Sequence, residues 1–403
     1  RRKRSNPGNY HVIYHEIRKR SVNEMNQVKE ALKKNTMVIA LIIVAIFFTF
    51  MTDGALLLSS NITNLIAQNG YVVILAVGML LCILTGGNID LSVGSIVCLV
   101  GAVVGKLMVN GGVNMWVAIG AGLLVGLGIG VWQAFWIAYV RIPPFIVTLA
   151  GMLLWRGVAL LVLDGLTISP MPDEYIALFN NYVPGYGTAL AAGILISVGY
   201  IASVIWKRIK AKKNGYQQSN LYGDIARCVI ITAVVMFVCI KLYSYKGLPT
   251  ILILLAVIVA AYAYYTSKTV SGRYYYAVGG NENAAKLSGV KTNRVYFIAY
   301  VNMAVLSAVA ALVCIARFNS AAPTAGTNYE MDAIGACFIG GASAYGGIGT
   351  VPGVVIGAIF MGVLNNGMSI MGIDANWQKA VKGLVLLAAV AFDVISKKKQ
   401  SSK

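Results

Sequence analysis

The chain has 403 residues, of which 58% are hydrophobic and only 12% charged, and its mean hydropathy is +0.74. Soluble domains are about a quarter charged, so this balance excludes one; runs of about 20 apolar residues recur instead, each long enough to cross the bilayer as a helix, and the alternating segments of a membrane barrel do not occur. The formal net charge of +19 is a topology signal and not a nucleic-acid footprint, because 25 of the 33 Lys and Arg fall in 1–34, 206–227, 267–294 and 396–403, which the positive-inside rule places in the cytoplasm with both termini.

Residues 1–35 are basic, with Ile17, Val28 and Leu32 as sparse apolar positions over 14–35, the pattern of a short helix lying along the inner leaflet. The next apolar run is too long for a cleavable signal peptide and lacks small-residue cleavage chemistry. A first span is expected over 36–57 and a second over 62–84, the latter opening on Asn61, Asn64, Gln68 and Asn69. Such amides suit a wet pathway surface, and they equally suit hydrogen bonding between helices.

Between the second and third spans lies TGGNIDLSVGS, residues 85–95, which sets Asp90 between two long apolar runs. A charge at bilayer depth costs roughly 2.5–3.5 kcal/mol, so it marks a bundle interior, a wet cavity or a helix end. Gly86 and Gly87 permit a turn, and Asn88 or Asp90 can cap the third span, expected over 89–108. The wording GG-IDLSVGS resembles the permease subunits of bacterial ATP-driven sugar importers, the ribose, xylose, galactose and multiple-sugar group of the branched-chain amino acid permease superfamily. The resemblance makes Asn88, Asp90, Ser92 and Ser95 candidate pathway residues, and Asn64, Gln68 and Asn69 join them on the chemistry of their amides.

The fourth span, 115–140, carries Gly122, Gly126 and Gly130 at intervals of four, a small-residue face on which helices approach closely. Arg141 ends it and Pro143 with Pro144 starts the fifth, within RIPPFIVTLAGMLLWRG, which resembles the PPFIVTLG segment of the same permeases. An external loop is expected over 164–187, a sixth span over 188–206, and then a solvated basic insertion over 206–227, whose length resembles the xylose and multiple-sugar permeases. Spans seven and eight follow over 228–243 and 249–266.

The stretch 271–295 contains NENAAKLSG, residues 281–289, which resembles the coupling loop of importer permeases, a short helix that docks in a groove of the ATPase. Asn281 can cap such a helix, Ala284, Ala285 and Leu287 offer it a small apolar face between Glu282 and Lys286, and Gly289 can end it. After a ninth span over 296–316, Arg317, Asn319, Glu330 and Asp332 are expected in a polar outer loop. The Gly-rich run 335–372 resembles the LGG-S-FGG-G-G segment of sugar permeases. Six glycines between Gly335 and Gly349 make a broken or re-entrant crossing, and spans over 351–371, with Gly353 and Gly357 on a packing face, and 377–395 then require 333–349 itself to cross before the basic tail 396–403.

The expected fold is therefore an all-α membrane domain over 36–395, with about ten transmembrane helices plus the broken segment, like a type II importer permease. Cys82, Cys98, Cys228, Cys239, Cys314 and Cys337 lie in apolar runs as packing residues, and His11 and His15 form no metal or nucleophile constellation. No GxxxxGK[ST] occurs, so any ATP hydrolysis belongs to a separate chain, and no cofactor or metal is expected. The resemblance implies an inner-membrane homodimer surrounded by lipid, with an ATPase below and a periplasmic or lipid-anchored binding protein above. It implies carriage of a monosaccharide, a pentose or hexose such as xylose, ribose or galactose. A nucleoside permease would share every motif, whereas an ATP-independent carrier would have no use for residues 281–289.

Overall fold

The computed structural model describes residues 36–185, 187–215 and 221–401; the segment 1–35, with its expected interfacial helix, lies outside them. Helix α1 (Thr36–Met51) stops where Asp53 and Gly54 take left-handed angles of φ 49° and 82°, short of the expected Leu57. A 3-10 turn, Ala55–Leu57, leads into α2 (Ser59–Leu84). Residues 85–92 stay out of any helix, so α3 (Val93–Gly105) starts four residues after the expected Ile89 and closes in a π turn, Lys106–Asn110. Asn114 accepts from the Trp116 amide and caps α4 (Met115–Ala138), and after left-handed Arg141 the two prolines open α5 (Pro144–Leu163).

The expected plain loop over 164–187 contains a further helix, α6 (Asp173–Phe179), pinned by buried Tyr175, whose hydroxyl donates to the Leu312 carbonyl at 2.7 Å. Helices α7 (Thr188–Lys213) and α8 (Leu221–Tyr243) form a hairpin that packs mainly on itself. Then come α9 (Thr250–Lys268), α10 (Val270–Gly280), α11 (Glu282–Leu287), α12 (Thr292–Phe318), α13 (Tyr329–Ile339), α14 (Val351–Ile370) and α15 (Ala375–Ser401). Among the described residues, 9 helical stretches are long and apolar enough to span a bilayer. The 16-residue α1 is shorter, and the apolar run of α15 carries Lys379, Lys382 and Asp393.

Antiparallel α2 and α12 are the centre of the bundle: the Tyr296 hydroxyl meets the Thr85 carbonyl, Cys82 meets Ala299, and Gly78 faces Met303. The two halves of the chain follow one plan in opposite directions. In the first, α3 packs on α5 and α4 on α12; in the second, α13 packs on α15 and α14 on α2. Lipid supplies no hydrophobic drive for these contacts, so close approach through small residues carries them. A Cβ on Gly126 would lie 2.5 Å from Ala308 Cβ, and one on Gly130 would lie 2.9 Å from Ala304 Cβ. Gly122 faces Val104 and Val100 of α3, while Gly353 and Gly357 abut the Gly340 and Ala336 carbonyls at the end of α13.

The chain between α12 and α13, residues 319–328, is the second half's counterpart of residues 85–92, and α13 with the Gly-rich turns after it makes the broken crossing. From Phe318 the chain does not stay outside the bundle but runs back along α3: Ala321 bridges to Ile168, Cys98 meets the Ala322 and Pro323 carbonyls, and Gly326 lies backbone to backbone against Gly94. Arg156 holds this descent by donating to the Pro323 and Ala325 carbonyls at 3.1 and 2.6 Å. Half-helix α13 then starts at mid-depth, and beyond it left-handed Gly341, Gly346 and Gly347 carry the chain to Leu84, whose carbonyl accepts from the Gly347 amide at 3.1 Å. Glu330 and Asp332, expected in a polar outer loop, are instead buried in the first turn of α13.

Candidate functional site

The TGGNID stretch returns from the end of α2 into the bundle, so that Asp90 is fully buried beside Met79, one and a half turns back along that helix. Asp90 Oδ1 accepts from the Ser92 amide at 2.8 Å and from the Ser92 hydroxyl at 2.6 Å, and Gln133 Nε2 of α4 donates to Ser92 Oγ at 2.8 Å. The expected cap is corrected: the N-cap position of α3 is Ser92, without a side-chain cap bond, and Asp90 closes a local turn before it. Asn88 donates to the Thr85 carbonyl at 3.3 Å, and Ser95 donates to the Met152 carbonyl at 2.7 Å, tying α3 to α5. Among the described residues Asp90 Oδ2, Tyr300 Oη and Trp155 Nε1 are buried without hydrogen-bond partners. Gln133, a lone amide in the middle of the apolar fourth span, joins this cluster, and that isolation is its only signal in the sequence.

The four amides of α2 divide. Asn61 and Asn366 exchange hydrogen bonds of 2.8 and 3.0 Å, and buried Asn69 donates to the Ala358 carbonyl at 2.7 Å, so these two positions join α2 to α14. Asn64 and Gln68, one turn apart, are exposed on the outer face of α2. Deeper along the same helix, the Tyr71 ring stacks on Tyr329 at 4.0 Å, and its hydroxyl meets Asp332 Oδ2 at 3.4 Å. Lys382 of α15 neutralises Asp332 at 2.9 Å.

At the end of the bundle formed by Leu84, α10 and the start of α12 sits the expected coupling segment. Asn281 Oδ1 accepts from the Ala284 amide at 3.0 Å and opens α11, and Gly289, at φ 86°, ends it. Both devices are local, which is why the spacing was readable. The direction of the apolar face was not: Ala285, expected against a partner, is buried in its own bundle, while Ala284 is exposed and Leu287 is 90% exposed. Lys286 is exposed beside them, and a cleft of ≈ 440 Å³ between α10 and α12 opens next to Gly289.

Arg141, at the end of α4, ties α11 to the bundle. It pairs with Glu282 at 2.8 Å, donates to Thr292 at 3.1 Å and to Asn293, and lies 5.1 Å over the Tyr296 ring. Tyr296 in turn reaches Glu282 Oε2 at 3.0 Å and the Thr85 carbonyl at 3.1 Å. Partial burial pushes the Glu282 carboxyl up, but the hydrogen bonds from Arg141 and Tyr296 and the Arg141 charge outweigh it and hold it below the usual carboxylate range. The chain α11–Glu282–Tyr296–Thr85 thus joins the exposed helix to the stretch that carries Asp90.

Comparison with known proteins agrees with this architecture. The profile of the family described as "Branched-chain amino acid transport system / permease component" matches residues 61–390. The xylose transport system permease protein XylH of Haemophilus influenzae is 38% identical over 363 residues, 90% of this chain and 96% of that protein. XylH of Escherichia coli K12 is 37% identical over 366 residues, 90% of this chain and 92% of that protein. The ribose import permease protein RbsC of the same strain is 43% identical over 147 residues, 36% of this chain and 46% of that protein. No solved structure matches. The chain therefore belongs to the permease-component family of the branched-chain amino acid transport system type, as a multi-pass membrane permease with no enzyme activity of its own.

Proposed function

We propose that this chain is the transmembrane subunit of an ATP-binding-cassette importer that moves a monosaccharide, xylose or another pentose, into the cytoplasm. The observation that carries the reading is the match to xylose permeases over 90% of the chain, with α11 presented at one end of the bundle on a hydrogen-bonded anchor. Leu287, Ala284 and Lys286 face the groove of a separate ATPase chain, and Asn281, Glu282, Ala285 and Gly289 shape and hold the helix behind them. The end bearing α11 and the basic segments is cytoplasmic, as are both termini, and a binding protein delivers sugar at the other end. Two copies form the working permease, with Asp90, Ser92, Ser95 and Asn88 bracing the mid-depth junction beside the pathway.

In the mechanism, ATP-driven closure of the two ATPase chains displaces α11, and the Glu282–Tyr296–Thr85 connection carries that displacement to residues 85–92. The test is uptake of labelled xylose by proteoliposomes holding this chain with its ATPase and binding protein. ATP-dependent accumulation of xylose supports the reading. Accumulation of a nucleoside alone would replace the substrate, and uptake that persists without the ATPase would overturn the importer.

A further inference from the structure

Asn64 and Gln68 face away from the bundle, yet Gln68 lies nine residues into the 26-residue α2, about 13 Å along the helix and within hydrocarbon depth. An amide facing lipid there forfeits its hydrogen bonds at a cost of several kcal/mol, so this face meets water or a polar solute. Beside it, Asn365 of α14 directs a buried Oδ1 that has no hydrogen-bond partner among the described residues, and Leu65, Gln68, Asn69, Tyr71, Gly362 and Asn365 bound one narrow cleft of ≈ 10 Å³, closed to about the size of one water in this state. The inner end of this track is the Lys382–Asp332 pair, which also receives the Tyr71 hydroxyl.

We infer that Gln68, Asn365 and Tyr71, floored by the Asp332–Lys382 pair, form a transit site for an uncharged polyhydroxylated solute. The inference rests on the importer reading above and adds the residues that touch the cargo. Neutral amides both donate and accept, which suits the hydroxyl groups of a sugar. Asp332 and Lys382 at the floor neutralise each other, so this pair gives the site no net attraction to ions. A few amide contacts are also weak enough to release the solute, as passage demands. Neighbouring Asn61 and Asn366 are already engaged with each other, and Asn69, although it lines the cleft, spends an amide hydrogen on the Ala358 carbonyl, so these three are left out of the site.

The test uses the full complex with its ATPase and binding protein in proteoliposomes. Gln68→Leu and Asn365→Leu should each lower xylose uptake about tenfold, the effect of one lost hydrogen bond, while the loaded binding protein still stimulates ATP hydrolysis to within about twofold of wild type. Gln68→Asn should recover part of the loss. Independently, Gln68→Cys should react with a membrane-impermeant charged thiol reagent added from the binding-protein side, above the wild-type background, and saturating xylose should slow that reaction. Normal uptake in both Leu variants would overturn the site, as would an unreactive Gln68→Cys in a complex that still hydrolyses ATP, since lipid or the second copy would then cover this face. If the wild-type complex shows no ATP-driven uptake at all, the importer reading fails instead, and the labelling result alone decides whether the track is wet.

Discussion

Replacing Gly126 by Ala adds a single methyl group at the closest approach of α4 to α12. That Cβ would stand 2.5 Å from Ala308 Cβ and 3.2 Å from the Ala304 carbonyl oxygen, both on a rigid helix and neither at the end of a flexible side chain. The helices must separate by about 1 Å to restore ordinary contact near 3.5–4.0 Å, and overpacking of this kind costs about 1–3 kcal/mol. The helix-propensity gain of Gly to Ala returns at most about 1 kcal/mol. Gly128, two positions on, is exposed with nothing within 4 Å of its Cβ position, so Gly128→Ala takes only that gain. Thermal unfolding of the detergent-solubilised protein should therefore show Gly126→Ala melting below wild type and Gly128→Ala at or above it. Equal melting temperatures for the two variants would refute the packing argument, because propensity treats both sites alike.

Asp90→Ala removes the acceptor for the Ser92 amide and hydroxyl, and transport should fall while membrane insertion, followed by protease protection, stays intact; full uptake would remove Asp90 from the working parts. Leu287→Asp should lower sugar-stimulated ATP hydrolysis without changing the melting profile, whereas Ala285→Trp should lower the melting temperature itself because that side chain is buried at home; the reverse pattern would mean that α11 is rotated. Lys382→Ala leaves Asp332 charged and buried, at a cost of about 3–5 kcal/mol, and the double change Lys382→Met with Asp332→Leu should recover most of the lost melting temperature. Because the Glu282 carboxyl is held below its usual range, its anchoring of α11 is complete above the ordinary carboxylate pKa and is lost as pH falls through the lower folded value. A fluorophore at Leu287→Cys should report mobility rising over that acidic window, and Glu282→Gln should abolish the transition.

What was readable in the sequence was whatever depends on neighbours a few residues apart. The apolar runs have helical span lengths, Asn281 and Gly289 bracket a helix by local capping and left-handed geometry, and six glycines interrupt the crossing that became α13 with its flanking loops. What was not readable depends on partners far along the chain. Glu330 and Asp332 look like loop residues until Lys382 is brought beside Asp332. The four amides of α2 are alike in sequence, and only the position of α14 separates Asn61 and Asn69, used between helices, from Asn64 and Gln68. Helix α6 is not legible locally because its 7 residues are too few for periodicity, and its anchor, the Leu312 carbonyl, is remote. Likewise, nothing within NENAAKLSG says which way Ala285 turns.

The 27 residues of α12 extend about 40 Å, and the close contacts with Gly126 and Gly130 fall at Ala304 and Ala308, near its midpoint. A stiff rod pinched at its waist is a lever. One arm ends at Tyr296, against α11 and Thr85; the other ends at Phe318, where the chain folds back toward Gly94. A tilt of about 5° about that waist displaces the two ends by about 2 Å in opposite directions. One small rotation therefore reaches both breaks in the bundle at once, pulling on residues 85–92 from one side and on residues 319–328 from the other.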